Sequence, residues 1–471
     1  MQIGSSAASA YQTAINVTSE NISNVNTPGY TTQTAVLETA PQSSPSGGFM
    51  GNGVSVVSIQ RSYDAALQQE IVNAQTSQGY DTTQSTALQA IQPTFNEVST
   101  NGLGAAIDSF FTSWQSMTSD PTSTANRQGV LTSAQNLVDN FNSVSSNLTS
   151  AINSQNTSLV SLTAGINQNL TSVAQLNGQI KAIGGSGGNT NELEDQLDQT
   201  IQNLSQQIGV TYTENSDGTM TVNLTQADGG AALVTGSQAG SFSLTTPNAP
   251  ASNLYTVNLT PAGSAAAPAA VTPSTGTLGA TLNLINTVIP GYQSQVDNLA
   301  QAIASEVNTQ QEAGTDQNGN AGIALFSPAP ATGATIAVAS GFTTSNIAAA
   351  AASAAGIINS GDSSNALTIA ELANTTTHTV VAVSGQTYSQ YYNSLVTQVG
   401  QDVQTSGNNV TKDQTYSNQL NTLQQSNSGV SLDEELVNLT TYQQSYQAAA
   451  KVISTATSMM DTVLGLIGAP S

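Results

Sequence analysis

The chain of 471 residues contains no cysteine, so neither a disulfide framework nor a thiolate nucleophile or metal ligand is available to it. That absence suits a chain that crosses a cell envelope unfolded without forming stray cross-links. Basic residues are nearly missing: Arg61, Arg127, Lys181, Lys412 and Lys451 stand against 28 acidic residues, for a net charge of -23. Nucleic-acid binding needs clustered Lys and Arg, and docking on an anionic membrane surface needs the same, so both partners are excluded. Charged residues make up 7% of the chain, against roughly 25% in an ordinary soluble domain. Aromatic residues are 5%. The thinly spread acids read as a solvating, mutually repelling surface. No segment approaches the run of about 18 apolar residues that spans a membrane. Met1-Gln2-Ile3-Gly4 lacks the basic start and apolar run of a cleaved secretory signal.

What is present is helical patterning. Tyr11, Ile15, Thr18, Ile22 and Val25 recur at alternating 4 and 3 spacing, which predicts a striped helix over the first 25 residues. Asn26-Thr27-Pro28-Gly29-Tyr30 ends it, because Pro28 disfavours helix at Thr27 and Pro28-Gly29 fits the centre of a type II turn. Extended chain is expected from Tyr30 to Ser58. Helix is expected again from Tyr63 to Gln92 and from Phe95 to Trp114. From Ser123 to Ile183 the positions Leu131, Ala134, Val138, Phe141, Ser145, Leu148, Ile152, Gln155, Leu159, Leu162, Ile166, Asn169, Val173, Leu176 and Ile180 keep unbroken 3-4 spacing. A helix of that length runs on the order of 75–90 Å and needs partner helices along it. Gly184-Gly185-Ser186-Gly187-Gly188 predicts a reversal into a second helix with Leu193, Leu197, Ile201, Leu204 and Ile208 inward and Gly209 as its stop.

At Val210 the period changes to two. Strands are expected at 210–214 and 219–225 around the turn Asn215-Ser216-Asp217-Gly218, and further short ones at 231–235, 241–245 and 255–259. Helix resumes at Thr277, with Pro290 predicted to kink it, and returns from Thr387 to Ser426. The intervening stretch 314–385 is rich in Ala, Gly and Thr, with a short helix at 365–372. The last helix opens with a capping box, Ser431 and Glu434. Leu432, Leu439, Tyr446, Ile453, Met460 and Ile467 then fall seven residues apart, with Tyr442, Ala449, Ala456 and Val463 at the neighbouring positions.

The expected architecture is therefore an α+β multidomain chain: a long helical shaft, coiled-coil-like at both termini, with β-rich outer insertions. Its segments are an N-terminal axial helix and extended part (1–60), a helical shaft (61–209), a β-rich insertion (210–275), a shaft helix (276–313), an Ala/Gly/Thr-rich outer region (314–385), another shaft helix (386–428) and a C-terminal axial helix (429–471). The predicted assembly interface is Tyr11, Ile15, Ile22, Val25, Leu432, Leu436, Leu439, Tyr442, Tyr446, Ile453, Met460 and Ile467.

Asn21-Ile22-Ser23-Asn24-Val25-Asn26-Thr27-Pro28-Gly29-Tyr30 resembles the N-terminal signature of the axial family of the bacterial flagellum, its rod, hook and junction proteins. Gly429-Val430-Ser431-Leu432-Asp433-Glu434-Glu435 and the run from Tyr442 to Thr455 are similar to the hook–filament junction members. So are Leu193 to Gly209 leading into Asn215-Ser216-Asp217-Gly218-Thr219, and Val288-Ile289-Pro290-Gly291-Tyr292 leading to Asn318-Gly319-Asn320-Ala321-Gly322. The resemblance implies a structural subunit between hook and filament whose partners are copies of itself, the hook protein and a filament-side junction protein. It also implies unfolded export by the flagellar type III route, with a cytosolic chaperone on the C-terminal helix. The family carries extra apolar residues ahead of the segment that here starts at Ile3, which implies a shortened inner-tube helix.

No catalytic constellation, cofactor site or metal site is expected. His378 is the only histidine, set in Asn374-Thr375-Thr376-Thr377, and reads as a surface residue with no nucleophile or acid arranged beside it. Asp433, Glu434 and Glu435 suit the first turn of a helix. Asp316-Gln317-Asn318-Gly319-Asn320 has the start of a calcium loop, but Ser327 occupies the twelfth position where such loops carry Glu, so a polar turn is expected. Two further readings stay open from the residues alone: another axial, hook-type subunit, and a secreted surface-binding module (an adhesin) using the β-rich insertion.

Overall fold

The computed structural model describes residues 1–40, 51–95, 102–245, 255–352 and 359–467, leaving aside the side chains of 466 and 467. In chain order these form α1 (Gln2–Ser23), a hairpin of β1 (Gln33–Thr39) and β2 (Val54–Arg61), then α2 (Ala65–Ile91), α3 (Leu103–Met117), the 62-residue α4 (Thr124–Gly185) and α5 (Asn191–Gln207). The β-rich part follows: β3 (Val210–Glu214), β4 (Met220–Leu224), β5 (Ala232–Thr235) and β6 (Gln238–Ala239) in one antiparallel sheet, and β7 (Ser241–Thr245), β8 (Thr256–Thr260) and β9 (Ala269–Ala270) in another. Then come α6 (Gly276–Asn283), α7 (Ile289–Ala313), the two-residue strands β10 (Phe326–Ser327) and β11 (Ala337–Val338), α8 (Ser364–Glu371), α9 (Tyr388–Ser428) and α10 (Leu432–Ile467). Among the described residues no helix is long and apolar enough to cross a membrane.

The helices start where the sequence supplies caps. Asp64 accepts from the amides of Ala66 and Leu67 at the head of α2, and Thr387 and Gln390 close a capping box on α9. Pro290 sits at the start of α7, directly behind a single π turn over Leu284–Val288. The widened turn accommodates a residue that has no N–H and whose ring crowds the carbonyl one turn back.

α4 buries Ala134, Val138, Phe141, Ser145, Leu148, Ile152, Leu159, Ile166, Val173 and Ile180, while Leu131, Gln155, Leu162, Asn169 and Leu176 are half-buried at its edges. Both small sheets lie along this helix and share one continuous hydrophobic core with it. Asparagines fasten them. Asn177, 1% exposed, donates to the carbonyl of Met220 (2.7 Å) and accepts from its amide (2.8 Å). Asn167 does the same to Phe242, and Asn308 on α7 does so to Phe326. Asn21 on α1 takes both backbone groups of Gln33 on β1. A helix-borne side-chain amide thus pairs with a strand as another strand would, satisfying one donor and one acceptor at once.

The stretch 314–385 differs from the outer region expected. Leu325, Phe326, Ile336, Ile347, Ala349, Ala366, Ile369 and Val383 all enter the main core. Arg127 on α4 holds it by donating to the carbonyls of Thr344 (3.0 Å) and Ile347 (2.9 Å). Its small side chains let the backbone lie close to the helices, so a segment of low hydrophobicity is still buried. Asp316 forms the polar turn anticipated: its carboxylate accepts from the amides of Asn318 and Asn320, both at 2.8 Å.

The terminal helices form a separate, thinner module. α1 and α10 run antiparallel, with Gly4 beside Ile453 and Tyr11 beside Tyr442. Among the described residues its buried apolar side chains are Ala10, Ala14, Val17, Ala35 and Ala449, with Val56, Ile59 and Tyr442 packed beside them.

Candidate assembly surface

The turn after α1 has the geometry its sequence dictates. Tyr30 N–H donates to the Thr27 carbonyl (3.3 Å) across Pro28 and Gly29. Gly29 has φ +81°, a backbone conformation that calls for glycine, and it sits against the flexible end of the Gln199 side chain. Asn26, Thr27, Pro28 and Gly29 themselves are exposed. Tyr30 turns back, its hydroxyl donating to Asn21 Oδ1 (2.8 Å).

The face of α1 that is covered is not the one its large apolar residues trace. Gly4, Ala10, Ala14, Val17, Thr18 and Asn21 are buried, whereas Tyr11, Ile15, Ile22 and Val25 are half-buried beside them. Small residues occupy the contact because the helix lies tight against both α10 and the β1–β2 hairpin.

The seven-residue stripe of α10 divides. Glu435 and Ala449 are buried, and Leu439, Tyr442, Ile453 and Ala456 are half-buried on the side facing α1. Leu432, Leu436, Val437, Tyr446, Val452, Met459, Met460, Val463 and Leu464 are exposed, Met459 by 67% and Leu436 by 52%. The Ile467 side chain lies outside the described residues. Met460 falls seven residues after Ile453, on the continuation of the α1-facing side, and is uncovered. α10 therefore keeps exposed apolar side chains both on the α1-facing stripe itself, at Leu432, Tyr446, Met460 and Val463, and beside and behind it, at Leu436, Val437, Val452, Met459 and Leu464. Each of those side chains contributes roughly 1.5–3 kcal/mol on full burial.

This module joins the shaft through a charged hub. Arg61, at the end of β2, contacts Glu194 (3.0 Å), Asp195 (3.1 Å) and Asp198 on α5, and its guanidinium lies 4.2 Å from the centre of the Tyr63 ring. Burial alone lowers the affinity of Arg61 for its proton, but the carboxylates outweigh it and hold the group protonated. Thr31 donates to Asp195 through its amide (3.0 Å) and hydroxyl, and Thr32 donates to the carbonyls of Ser428 and Gly429 between α9 and α10. Both axial segments are thus anchored within a few residues of one another.

His378 is not on the surface. It is 7% exposed, with Nδ1 3.0 Å from Glu306 Oε2 on α7 and Nε2 2.9 Å from the Gln386 carbonyl. Glu306 also accepts from Thr379 N–H (2.7 Å) and the Tyr388 hydroxyl. The cluster pins the loop before α9 to α7. Nothing in its neighbours Asn374 to Thr377 signals this, since the partner lies 72 positions away.

The model of the flagellar hook-associated protein FlgK helical domain matches residues 88–326, that of the flagella basal body rod protein residues 1–31, and that of the flagellar basal body rod FlgEFG protein C-terminal residues 424–466. Flagellar hook-associated protein 1 of Escherichia coli (strain K12) is 32% identical over 324 residues, covering 68% of this chain and 58% of that protein. The chain thus spans somewhat over half the length of that relative. Flagellar hook-associated protein 1 of Bacillus subtilis (strain 168) is 27% identical over 498 residues, covering 98% of this chain and 97% of that one. The flagellar hook junction protein FlgK from Burkholderia pseudomallei shares the fold, with a TM-score of 0.64 at 17% identity over 76% of this chain and 99% of that chain. With the helical-domain match spanning the shaft and both axial segments matched beside it, the chain belongs to the FlgK family of flagellar hook-associated proteins.

Proposed function

We propose that this chain is a structural, non-enzymatic subunit of the junction between hook and filament of the bacterial flagellum. It is exported through the flagellar type III route and acts outside the cell. The observation that carries the reading is the apolar surface of α10, from Leu432 to Leu464, that α1 leaves exposed. A helix with this much apolar surface uncovered by its own chain is suited to burying it against neighbours. Copies of the same chain, the hook protein and the filament-side junction protein are the neighbours in this reading, and Tyr11, Ile15, Ile22 and Val25 extend the interface along α1. Before assembly the same face needs cover, which a cytosolic export chaperone supplies.

Truncation after Gly429 tests the proposal. The shaft, with its own core, is expected to stay folded and soluble, while hook–filament joining is lost. Normal filament attachment by the truncated chain would overturn the reading. Leu436→Asp with Met460→Asp is the milder form: both side chains are exposed, so the monomer's melting temperature should hold while assembly fails.

A further inference from the structure

The six methionines hold every sulfur atom of the chain, since cysteine is absent. Met117, at the end of α3, and Met220, on β4, are 0% exposed and belong to the main core. Met459 and Met460 stand side by side near the end of α10, 67% and 52% exposed, within the apolar surface that α1 leaves open. Met1 is exposed at the head of α1, and Met50 lies outside the described residues. Oxidation of a thioether follows its exposure. Trp114 and His378, which also oxidise, are buried.

The surroundings of the pair decide what oxidation does there. Thr455, Thr457, Ser458 and Thr462 each donate their hydroxyl to a carbonyl one turn back on α10, those of Lys451, Ile453, Ser454 and Ser458. Asp461, the next residue, supplies only acceptors as a carboxylate. A thioether asks for no hydrogen bond, and its unbranched, polarisable chain fits many packings. A sulfoxide adds a polar acceptor that the flanking hydroxyls, already spent, do not meet. In water that acceptor is solvated; buried against a neighbour it goes unpaired.

We propose that Met459 and Met460 form a peroxide-sensitive modification site that decides whether α10 can be buried in an assembly. The lone pair on Sδ attacks one oxygen of hydrogen peroxide; the O–O bond breaks and an S–O bond forms. The second oxygen leaves as water, taking the proton of the first. Sulfur is oxidised by two electrons and the peroxide is reduced by two. The free subunit keeps its fold, because neither side chain belongs to a core within the chain. Burial in an assembly shields both sulfur atoms, so the site acts on subunits not yet assembled. Methionine sulfoxide reductases reverse the change. The effect on assembly rests on the reading of α10 proposed above; the selectivity of oxidation rests on exposure alone.

The full chain, still unassembled, is treated with dilute hydrogen peroxide, and sulfoxide is mapped by peptide mass spectrometry. It is then supplied to hook-bearing cells that lack their own copy, and joined filaments are counted. Met459 and Met460 are expected to oxidise at least about tenfold faster than Met117 and Met220, and joining to fall by about tenfold. Methionine sulfoxide reductases with a dithiol should restore it, in a chain with no disulfide for the dithiol to reduce. Met459→Leu with Met460→Leu keeps the apolar volume without sulfur, and is expected to join normally before and after peroxide. Equal oxidation of all four methionines would overturn the proposal. So would an oxidised parent that joins as well as the untreated one, which leaves the assembly reading standing. An untreated parent that fails to join sinks both. Loss of joining by the peroxide-treated leucine variant places the damage elsewhere, Met1 included, and overturns the proposal alone. If the leucine variant fails even untreated, the reductases decide: recovery of the parent in step with loss of sulfoxide at 459 and 460 supports the site, and no recovery overturns it.

Discussion

Single side chains carry unusual weight in a chain with so few charges. His378 Nδ1 and Glu306 Oε2 are hydrogen-bonded at 3.0 Å, and both residues are buried. Removing the imidazole takes one partner from a buried carboxylate and leaves the Gln386 carbonyl without its contact. His378→Ala is expected to destabilise the protein by about 2–4 kcal/mol in urea unfolding at neutral pH. His378→Gln should cost less, because its amide restores one of the two hydrogen bonds. An unchanged unfolding midpoint for the alanine variant would show that Glu306 is adequately held by Thr379 and Tyr388 alone. The sequence hid this residue because burial here is decided by a fold-level contact, with Asn and Thr on every side. Arg61 was equally silent: its three carboxylates sit on α5, far along the chain.

At the scale of elements, the recurrent device is an asparagine that clasps a strand. Asn177→Leu keeps a similar volume but strands both the amide and the carbonyl of Met220 in a buried position. A loss of about 2–4 kcal/mol is expected, with faster amide exchange at Met220 as the local signature. Asn177→Asp should be no better, since its carboxylate repels the carbonyl it faces. Stability within about 0.5 kcal/mol of the parent would mean that the sheet is held by packing alone. Periodicity made the long helices readable, α4 most of all, because a stripe sustained over many turns leaves one solution. At α1 it gave the helix, while small residues form the buried contact within the chain. Across 314–385 the short helix expected at 365–372 is α8, but the alanines and threonines around it carry no period yet fill a core. The hairpin at 210–224 was readable from its turn, Asn215 to Gly218, whose Gly218 takes φ +78°. The α10 stripe was readable as apolar spacing, but not its division between α1 and solvent, which depends on where a partner helix lies.

For the whole molecule, charge and burial act together. Burial raises Asp198 to about 6 and lifts Asp195 and Asp297 in the same direction, while burial and the neighbouring Glu192 lift Glu20. In the fold these carboxyls bind protons that the unfolded chain has already released, so stability should increase as pH falls from about 7 to 5. Asp120, Asp217, Asp228 and Asp362 are shifted downward, and their stabilising effect is lost only below the ordinary carboxylate range. Relief of repulsion in a chain of net charge -23 works in the same sense as the raised groups. The thermal midpoint is expected to be higher at pH 5.5 than at 7.5, and a lower one would refute the balance drawn here. The pairing of Gly4 with Ile453 has a consequence in time as well as in space. It closes a loop of 449 residues, and the pairing of α2 with α9 closes one of 336 at Gln78 and Gln414, so the two cost the same within about 0.3 kcal/mol. Neither helix near the start of the chain can find its partner until the last part of the chain is present. In any chain that emerges one end first, α1 and α2 wait for α10 and α9, and the order of the sequence itself acts as a clock.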